Sequence, residues 1–279
     1  MNHQPFSVAI SVYKNDNPVY FDRALESITD KQTIKPDEIV LVVDGPVPDE
    51  IDSVVEEFSS RYNFKVIRLD ENEGLGNALR IAVENCSNDL VARMDSDDIA
   101  SENRFELQLN FLNKNPYVSI VGGVISEFIG EESNIVGYRV VPSTNEQIKA
   151  FLKKRCPFNH MTVMFRKKDV IEVGNYQDWF YNEDYFLWIR LAIANKQFAN
   201  IPEVLVNVRT GKDLYKRRGG WKYFKSEKEI QHYMRVNRVI SFPRYSINVL
   251  KRFLIQVVSP SWFRGIAFRL FARKQKRLL

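Results

Sequence analysis

Four apolar runs in the first hundred residues, three of them separated from the next by a helical pattern, constrain the fold more than any other feature of the chain. Phe6–Val12 is followed by Lys14-Asn15-Asp16-Asn17-Pro18, after which Phe21, Ala24, Leu25 and Ile28 recur at helical spacing. Glu38–Val43 stops at Asp44-Gly45-Pro46, and Ile51, Val54, Val55 and Phe58 mark the next helix. Phe64–Leu69 precedes a helix carrying Leu75, Ala78, Leu79, Ala82 and Val83. Asp89–Met94 then runs straight into Asp95-Ser96-Asp97-Asp98. Strands without polar alternation are buried on both faces, and their alternation with helices calls for parallel pairing. The expectation is an α/β chain with a Rossmann-like, open, mostly parallel sheet flanked by helices. Ligands of such sheets sit beyond the carboxyl ends of the strands.

The pattern loosens after residue 100. Helices are expected at 105–113, 143–154, 183–195 and 221–240, and strands at 118–129, 161–166 and 198–208. Two cysteines, Cys86 and Cys156, are too few for a disulfide scaffold or a four-thiolate zinc site. The start, Met1-Asn2-His3-Gln4-Pro5, lacks the basic and apolar regions of a secretory signal, and no apolar run reaches membrane-spanning length.

The net charge of +5 conceals two opposed halves. Residues 204–279 hold 19 Lys/Arg against three acids, whereas residues 1–203 hold 21 basic and 32 acidic side chains. The last 39 residues carry nine basic groups and no acid. Within them Ile247, Leu250, Leu254 and Val257 form an apolar stripe beside Lys251 and Arg252. Trp262, Phe263, Ile266, Phe268, Leu270 and Phe271 interleave with Arg264, Arg269 and Arg273. Such a stretch suits a basic amphipathic helical tail in an anionic membrane interface; packing on the globular part is the alternative.

The chemistry-bearing residues cluster where strands end. Three carboxylates within Asp95-Ser96-Asp97-Asp98 repel one another and call for a hard divalent cation, Mg²⁺ or Mn²⁺, which commonly bridges to substrate phosphates. A solvated loop, or a helix cap at Asp98 or Ser101, is the plainer explanation. Asp44 is placed to accept from a nucleobase N–H or a ribose hydroxyl, or else is a turn residue. Asn72, Gly74 and Arg80 lie in a segment that opens a helix, where backbone N–H groups and the dipole favour an anion. Glu183-Asp184 opens another helix; a general base and a dipole-favoured first turn both account for it. His160 has no second His or Cys at a zinc spacing. Neither a Gly-x-Ser-x-Gly elbow nor a Gly-Lys-Ser/Thr loop is present.

In order and spacing these pieces resemble family 2 glycosyltransferases of the GT-A fold. The likeness runs over roughly residues 6–220. It is carried by Phe6-Ser7-Val8-Ala9-Ile10-Ser11-Val12-Tyr13, Val42-Val43-Asp44-Gly45-Pro46, Asn72-Glu73-Gly74, Met94-Asp95-Ser96-Asp97-Asp98, and Asn182-Glu183-Asp184 with Trp188. Lys216-Arg217-Arg218-Gly219-Gly220 is similar to the bacterial amylovoran and O-antigen branch. The resemblance implies an inverting, metal-dependent transferase of a hexose, glucose or galactose, from a UDP-hexose donor to a polyprenyl-diphosphate-linked sugar. Such an enzyme serves lipopolysaccharide or exopolysaccharide repeat-unit synthesis as a peripheral protein on the cytoplasmic side of the bacterial inner membrane, with no nucleic-acid partner.

It further implies that Ser11, Tyr13 and Asp44 line a uridine pocket, that Asp95 touches the ribose or sugar, and that Asp97, with Asp95, holds Mn²⁺ or Mg²⁺. Asn72, Gly74, Arg80, Arg217 and Arg218 join the donor site, His160 and Glu183 the acceptor site, and Asp184 is the general base. The corresponding division is residues 1–215 as the transferase domain, split at 100 into nucleotide-sugar and acceptor halves, and 216–279 as a membrane-associating tail. Many members carry paired acids where only Asp44 stands, and the Gln-x-x-Arg-Trp motif of processive synthases is absent, which implies single addition. Two other classes compete. A nucleotidyltransferase needs a glycine-rich basic loop after the first strand, where Lys14-Asn15-Asp16-Asn17 has no glycine. A non-catalytic membrane or nucleic-acid-binding module leaves the acidic clusters unexplained.

Overall fold

The computed structural model describes residues 3–211 and 219–259. Its first half is built from β1 (Phe6–Val12), β2 (Glu38–Val43), β3 (Phe64–Arg68) and β4 (Leu90–Met94), paired in parallel in the order β3-β2-β1-β4. The crossovers are α1 (Pro18–Ile28), α2 (Asp49–Arg61) and α3 (Leu75–Asn85). Asn17 caps α1 by accepting from the Val19 and Tyr20 N–H groups, with Pro18 at the first helical position. Along β1, Phe6, Val8, Ile10 and Val12 face the layer containing Phe21, Leu25 and Phe58. Ala9 joins Leu79, Tyr176 and Trp188 on the other side. This period-two segregation puts one core on each face of the sheet.

The second half extends the same sheet with mixed pairing. β8 (Met164–Arg166) runs antiparallel to β4, and β6 (Val118–Phe128) runs antiparallel to β8. β9 (Gln197–Arg209) lies parallel to β6, and the two-residue β5 (Ile99–Ala100) closes the order antiparallel to β9. β7 (Ile135–Arg139) forms an antiparallel edge on β6. The flanking helices are α4 (Arg104–Lys114), α5 (Asn145–Leu152), α6 (Lys167–Glu172), α7 (Glu183–Ile193), α8 (Trp221–Val236) and α9 (Phe242–Phe253), the last continued by a wider turn at Leu254–Val258. Ile230 and Met234 of α8 belong to the same core as Trp188 of α7.

Two expectations are corrected here, and two strands are added. The strand expected at 161–166 is a short 3₁₀ turn, His160–Thr162, followed by β8. The helix expected to run to residue 240 ends at Val236, and Arg238 takes a left-handed φ of 59°. β5 and β7 are additional; each is short or half exposed and gives little periodic signal. Arg104 was invisible in the sequence as a core residue. It is fully buried beneath β4, donating to the Arg93 carbonyl (2.6 Å) and to Gln108 (3.1 Å), whose amide in turn holds the Thr162 carbonyl at 2.7 Å. Burial first, then the neighbouring Arg93 charge, lowers its pKa to about 9. The residues past the end of β4 are thereby fixed to α4 and to the 3₁₀ turn.

One turn needs glycine. Gly45, two residues past β2, has φ of 84°, and a Cβ there would lie 2.7 Å from the Asn72 backbone nitrogen. Gly45→Ala is therefore expected to cost about 2 kcal/mol or more, a drop of several degrees in Tm by calorimetry. An unchanged Tm would mean that the two loops do not meet.

Candidate active site

The carboxyl ends of β1, β2 and β4 and the start of α7 together define the site. At the end of β2, Asp44 is buried and its carboxylate is already engaged. It accepts from the Asn72 side-chain amide (2.9 Å), the Glu73 N–H (2.7 Å) and the Gly74 N–H (3.1 Å). Asp44 thus ties the loop opening α3 to the edge beside Ser11 and Tyr13, both half-buried at the end of β1.

Past β4 the charges crowd. One carboxylate oxygen each from Asp95, Asp97 and Asp98 can be chosen so that all lie within 4.8 Å of one another. Asp16, from the β1–α1 loop, adds a fourth: its Oδ2 accepts from the Ser96 hydroxyl (2.8 Å) and the Tyr13 N–H (3.1 Å). Burial in the cleft, then the charges of Asp95 and Asp16, push the Asp97 carboxyl up to about 6, although its edge reaches solvent. Asp98 is buried, and its Oδ1 accepts from the Arg209 N–H at 3.0 Å.

The counter-charge is Arg93, buried on β4 and ion-paired with Asp95. Its field acts on Asp97 and also on Glu183 and Asp184. The acids after β4 and those opening α7 therefore share one buried cation. Gly76 lets α3 approach the start of α7: a Cβ there would stand 3.2 Å from the Asp178 Cα and 3.4 Å from the Glu183 Cβ.

The two α7 acids differ. Burial, then the Asp184 charge, raises Glu183 to about 8. Burial also raises Asp184, but two donors oppose it: the Cys156 thiol, 3.2 Å from Oδ2, and the Tyr185 N–H, 2.6 Å from Oδ1. Neighbouring acids in different hydrogen-bonding surroundings are suited to different proton-transfer roles. Three or more carboxylates against one guanidinium leave excess negative charge, and an all-oxygen donor set of this kind fits a hard divalent ion.

Ser11, Tyr13, Asp44, Asn72, Gly74, Asp95, Asp97, Glu183 and Asp184 lie on these converging loops. Two expected residues do not. Arg80 points along α3 to Glu84 (3.4 Å), away from the helix N-terminus. His160 is a core residue, buried 2.8 Å from the Tyr176 hydroxyl and edge-on to Trp188, with burial lowering its pKa; this removes it from an acceptor surface. Arg217 and Arg218 lie outside the described residues. Asp16, Arg93 and Cys156 were missed. A lone Arg within Leu-Val-Ala-Arg-Met was the available signal for the second; nothing local marks the other two.

Known proteins point the same way. The model of glycosyl transferase family 2 matches residues 7–174. The amylovoran biosynthesis glycosyltransferase AmsE of Erwinia amylovora is 38% identical over 253 residues, 91% of this chain and 94% of the relative. An Escherichia coli UDP-Gal:alpha-D-GlcNAc-diphosphoundecaprenol beta-1,3-galactosyltransferase is 38% identical over 270 residues, 96% and 97% of the two chains. Among solved structures, S. aureus TarS 1-349 in complex with UDP-GlcNAc superposes with a TM-score of 0.65 at 17% identity, covering 96% of this chain and 76% of that one. The chain spans 46% of the longer TarS structure. At that identity the likeness is one of fold.

Two outcomes follow for the α7 acids. Glu183 has a folded pKa near 8 against an ordinary 4.5, so its burial costs nothing below the lower value and destabilises increasingly as pH rises toward 8. Glu183→Gln should melt a few degrees higher than the wild type at pH 8 and match it at pH 4; an equal or lower Tm at pH 8 contradicts the burial. Cys156 opposes protonation of Asp184, so Cys156→Ala should raise the pH at which the Asp184 carboxyl titrates by ¹³C NMR, whereas Cys156→Ser keeps a donor and the wild-type titration profile. Superimposable profiles for the alanine variant would remove the thiol from the site.

Proposed function

The chain belongs to glycosyltransferase family 2, and from that premise we propose that it moves a hexose, galactose or glucose, from a UDP-hexose to a lipid-diphosphate-linked sugar. The relationship to the E. coli galactosyltransferase supports both substrate classes and a β-1,3 bond to GlcNAc on diphosphoundecaprenol. The observation that carries the reading is the sharing of Arg93 between the acids after β4 and those opening α7. Donor and base chemistry then meet at one sheet edge, where α/β folds bind ligands.

In this reading Ser11, Tyr13 and the Asp44-held loop at Asn72 and Gly74 form the uridine pocket. Asp97 and Asp95 would hold Mn²⁺ or Mg²⁺, which when bound would supply positive charge to offset that on a leaving diphosphate. Arg93 fixes Asp95 and lowers the repulsion among the acids, so the pocket is organised before the donor arrives. Arg217 and Arg218 are assigned to the diphosphate on the chemistry of their guanidinium forks. Asp184, kept ionisable by the Cys156 thiol and the Tyr185 N–H, accepts the proton of the acceptor hydroxyl. Glu183, neutral at pH 7 by its pKa of about 8, donates a hydrogen bond to the acceptor sugar. In-line attack at the anomeric carbon breaks the bond to UDP and inverts the centre, so an α-linked donor yields a β-linked product.

Residues 1–100 are assigned to the donor, 101–215 to the acceptor, and 216–279 to the cytoplasmic membrane surface where a lipid-linked acceptor resides. Among the described residues no helix is long and apolar enough to cross a membrane. The test is UDP release and product linkage with UDP-galactose or UDP-glucose and a synthetic GlcNAc-diphospho-lipid. Asp184→Asn should lower kcat by about 10²–10⁴. EDTA should abolish transfer, and Mn²⁺ or Mg²⁺ should restore it. Wild-type rates in both Asp184→Asn and Asp97→Ala would refute the assignment.

A further inference from the structure

The α9 helix is turned inside out. Its two buried side chains, Asn248 and Gln256, are polar, with Tyr245 and Phe253 half-buried beside them, Phe253 against Trp221 and Phe224. Asn248 donates to the Lys153 carbonyl (2.9 Å) and to the Gln231 side-chain oxygen (2.7 Å). One turn on, Arg252 is ion-paired with buried Glu227 and donates to the Lys154 carbonyl at 2.9 Å. A further turn on, the Gln256 carbonyl receives the Gly220 N–H at 2.9 Å. The outward positions are apolar. Ile247 is 47% exposed, Leu250 58%, Leu254 48% and Val258 60%, with Ile255 also exposed. These recur at three- and four-residue intervals, so they share one side. A helix seated only on a protein core shows the reverse pattern.

Charge selects the occupant. Arg244 and Lys251 are exposed on the same helix, and residues 241–279 contain no acid. An apolar stripe flanked by cations is complementary to an anionic bilayer surface, where the side chains enter the acyl boundary and the cations meet headgroup phosphates. The inner contacts give the position a purpose. Asn248 and Arg252 grip the carbonyls of Lys153 and Lys154, and Cys156, two residues further, donates to Asp184. The helix is thus fastened to the segment that carries a donor to the base.

We propose that the outward face of α9, Ile247, Leu250, Leu254, Ile255 and Val258, seats in an anionic lipid surface and holds the acceptor side of the active site against the bilayer. The proposal rests on the lipid-linked acceptor of the preceding section only for its purpose; binding itself is read independently.

The experiment is co-sedimentation of the full chain with phosphatidylglycerol-containing vesicles and with phosphatidylcholine vesicles. The wild type should bind the anionic vesicles and be released by salt. Leu250→Ser/Leu254→Ser should bind about tenfold or more weakly. Arg244→Glu/Lys251→Glu should lose the preference for anionic lipid. Both variants should transfer hexose to a water-soluble GlcNAc diphosphate at the wild-type rate while losing transfer to acceptor embedded in vesicles. No binding by the wild type, or wild-type binding by the leucine variant, overturns the proposal. A dimer seen by light scattering that the leucine substitutions abolish gives the face to a second copy and also overturns it. Failure of the wild type on the soluble acceptor sinks the transferase reading and leaves the vesicle result standing.

Discussion

A single buried guanidinium organises the charged end of the sheet. Arg93 sits on an otherwise apolar strand, pairs with Asp95 and acts on Asp97, Glu183 and Asp184. Removing one partner of such a buried pair typically costs about 3–5 kcal/mol, because the other charge is left unsatisfied. Here the loss would fall on several carboxylates at once. Arg104 holds the Arg93 carbonyl from the other face of the sheet. Two arginines therefore fix the strand end on which the acidic turn is mounted.

The remaining parts attach to that turn by short polar links. Asp16 joins the Tyr13 backbone to Ser96, coupling the β1 and β4 ends. Asp44 spends its acceptor capacity on the loop that opens α3 and so fastens that loop to the end of β2. Cys156 connects the α5 side of the molecule to Asp184, and α9 grips the residues just before it. Each link joins a different pair of segments.

Much of this was legible in the sequence because burial on both faces leaves an unbroken apolar run. β1, β2 and β4 are such runs, and their ends mark Tyr13, Asp44 and Asp95 without further information. Order along the chain supplied α7 and its acids. What could not be read was pairing and direction. β8 is three residues long, and β5 only two, too short for periodicity to declare itself. Side-chain aim was equally hidden. Arg80 was expected to turn toward the helix start, yet an acid four residues on draws it the other way. His160 looked like a site residue but fills a hole between Tyr176 and Trp188. The apolar stripe of α9 was visible; that its polar side would be the buried one was not.

The most direct measurement is the anomalous diffraction of Mn²⁺ in crystals grown with UDP. The metal should lie at about 2.2 Å from an Asp97 carboxylate oxygen, with the uracil beside Tyr13 and the space above the diphosphate opening onto Asp184. A manganese peak away from Asp95 and Asp97, or a nucleotide on a face that Asp184 does not border, would contradict the convergence of donor and base around Arg93.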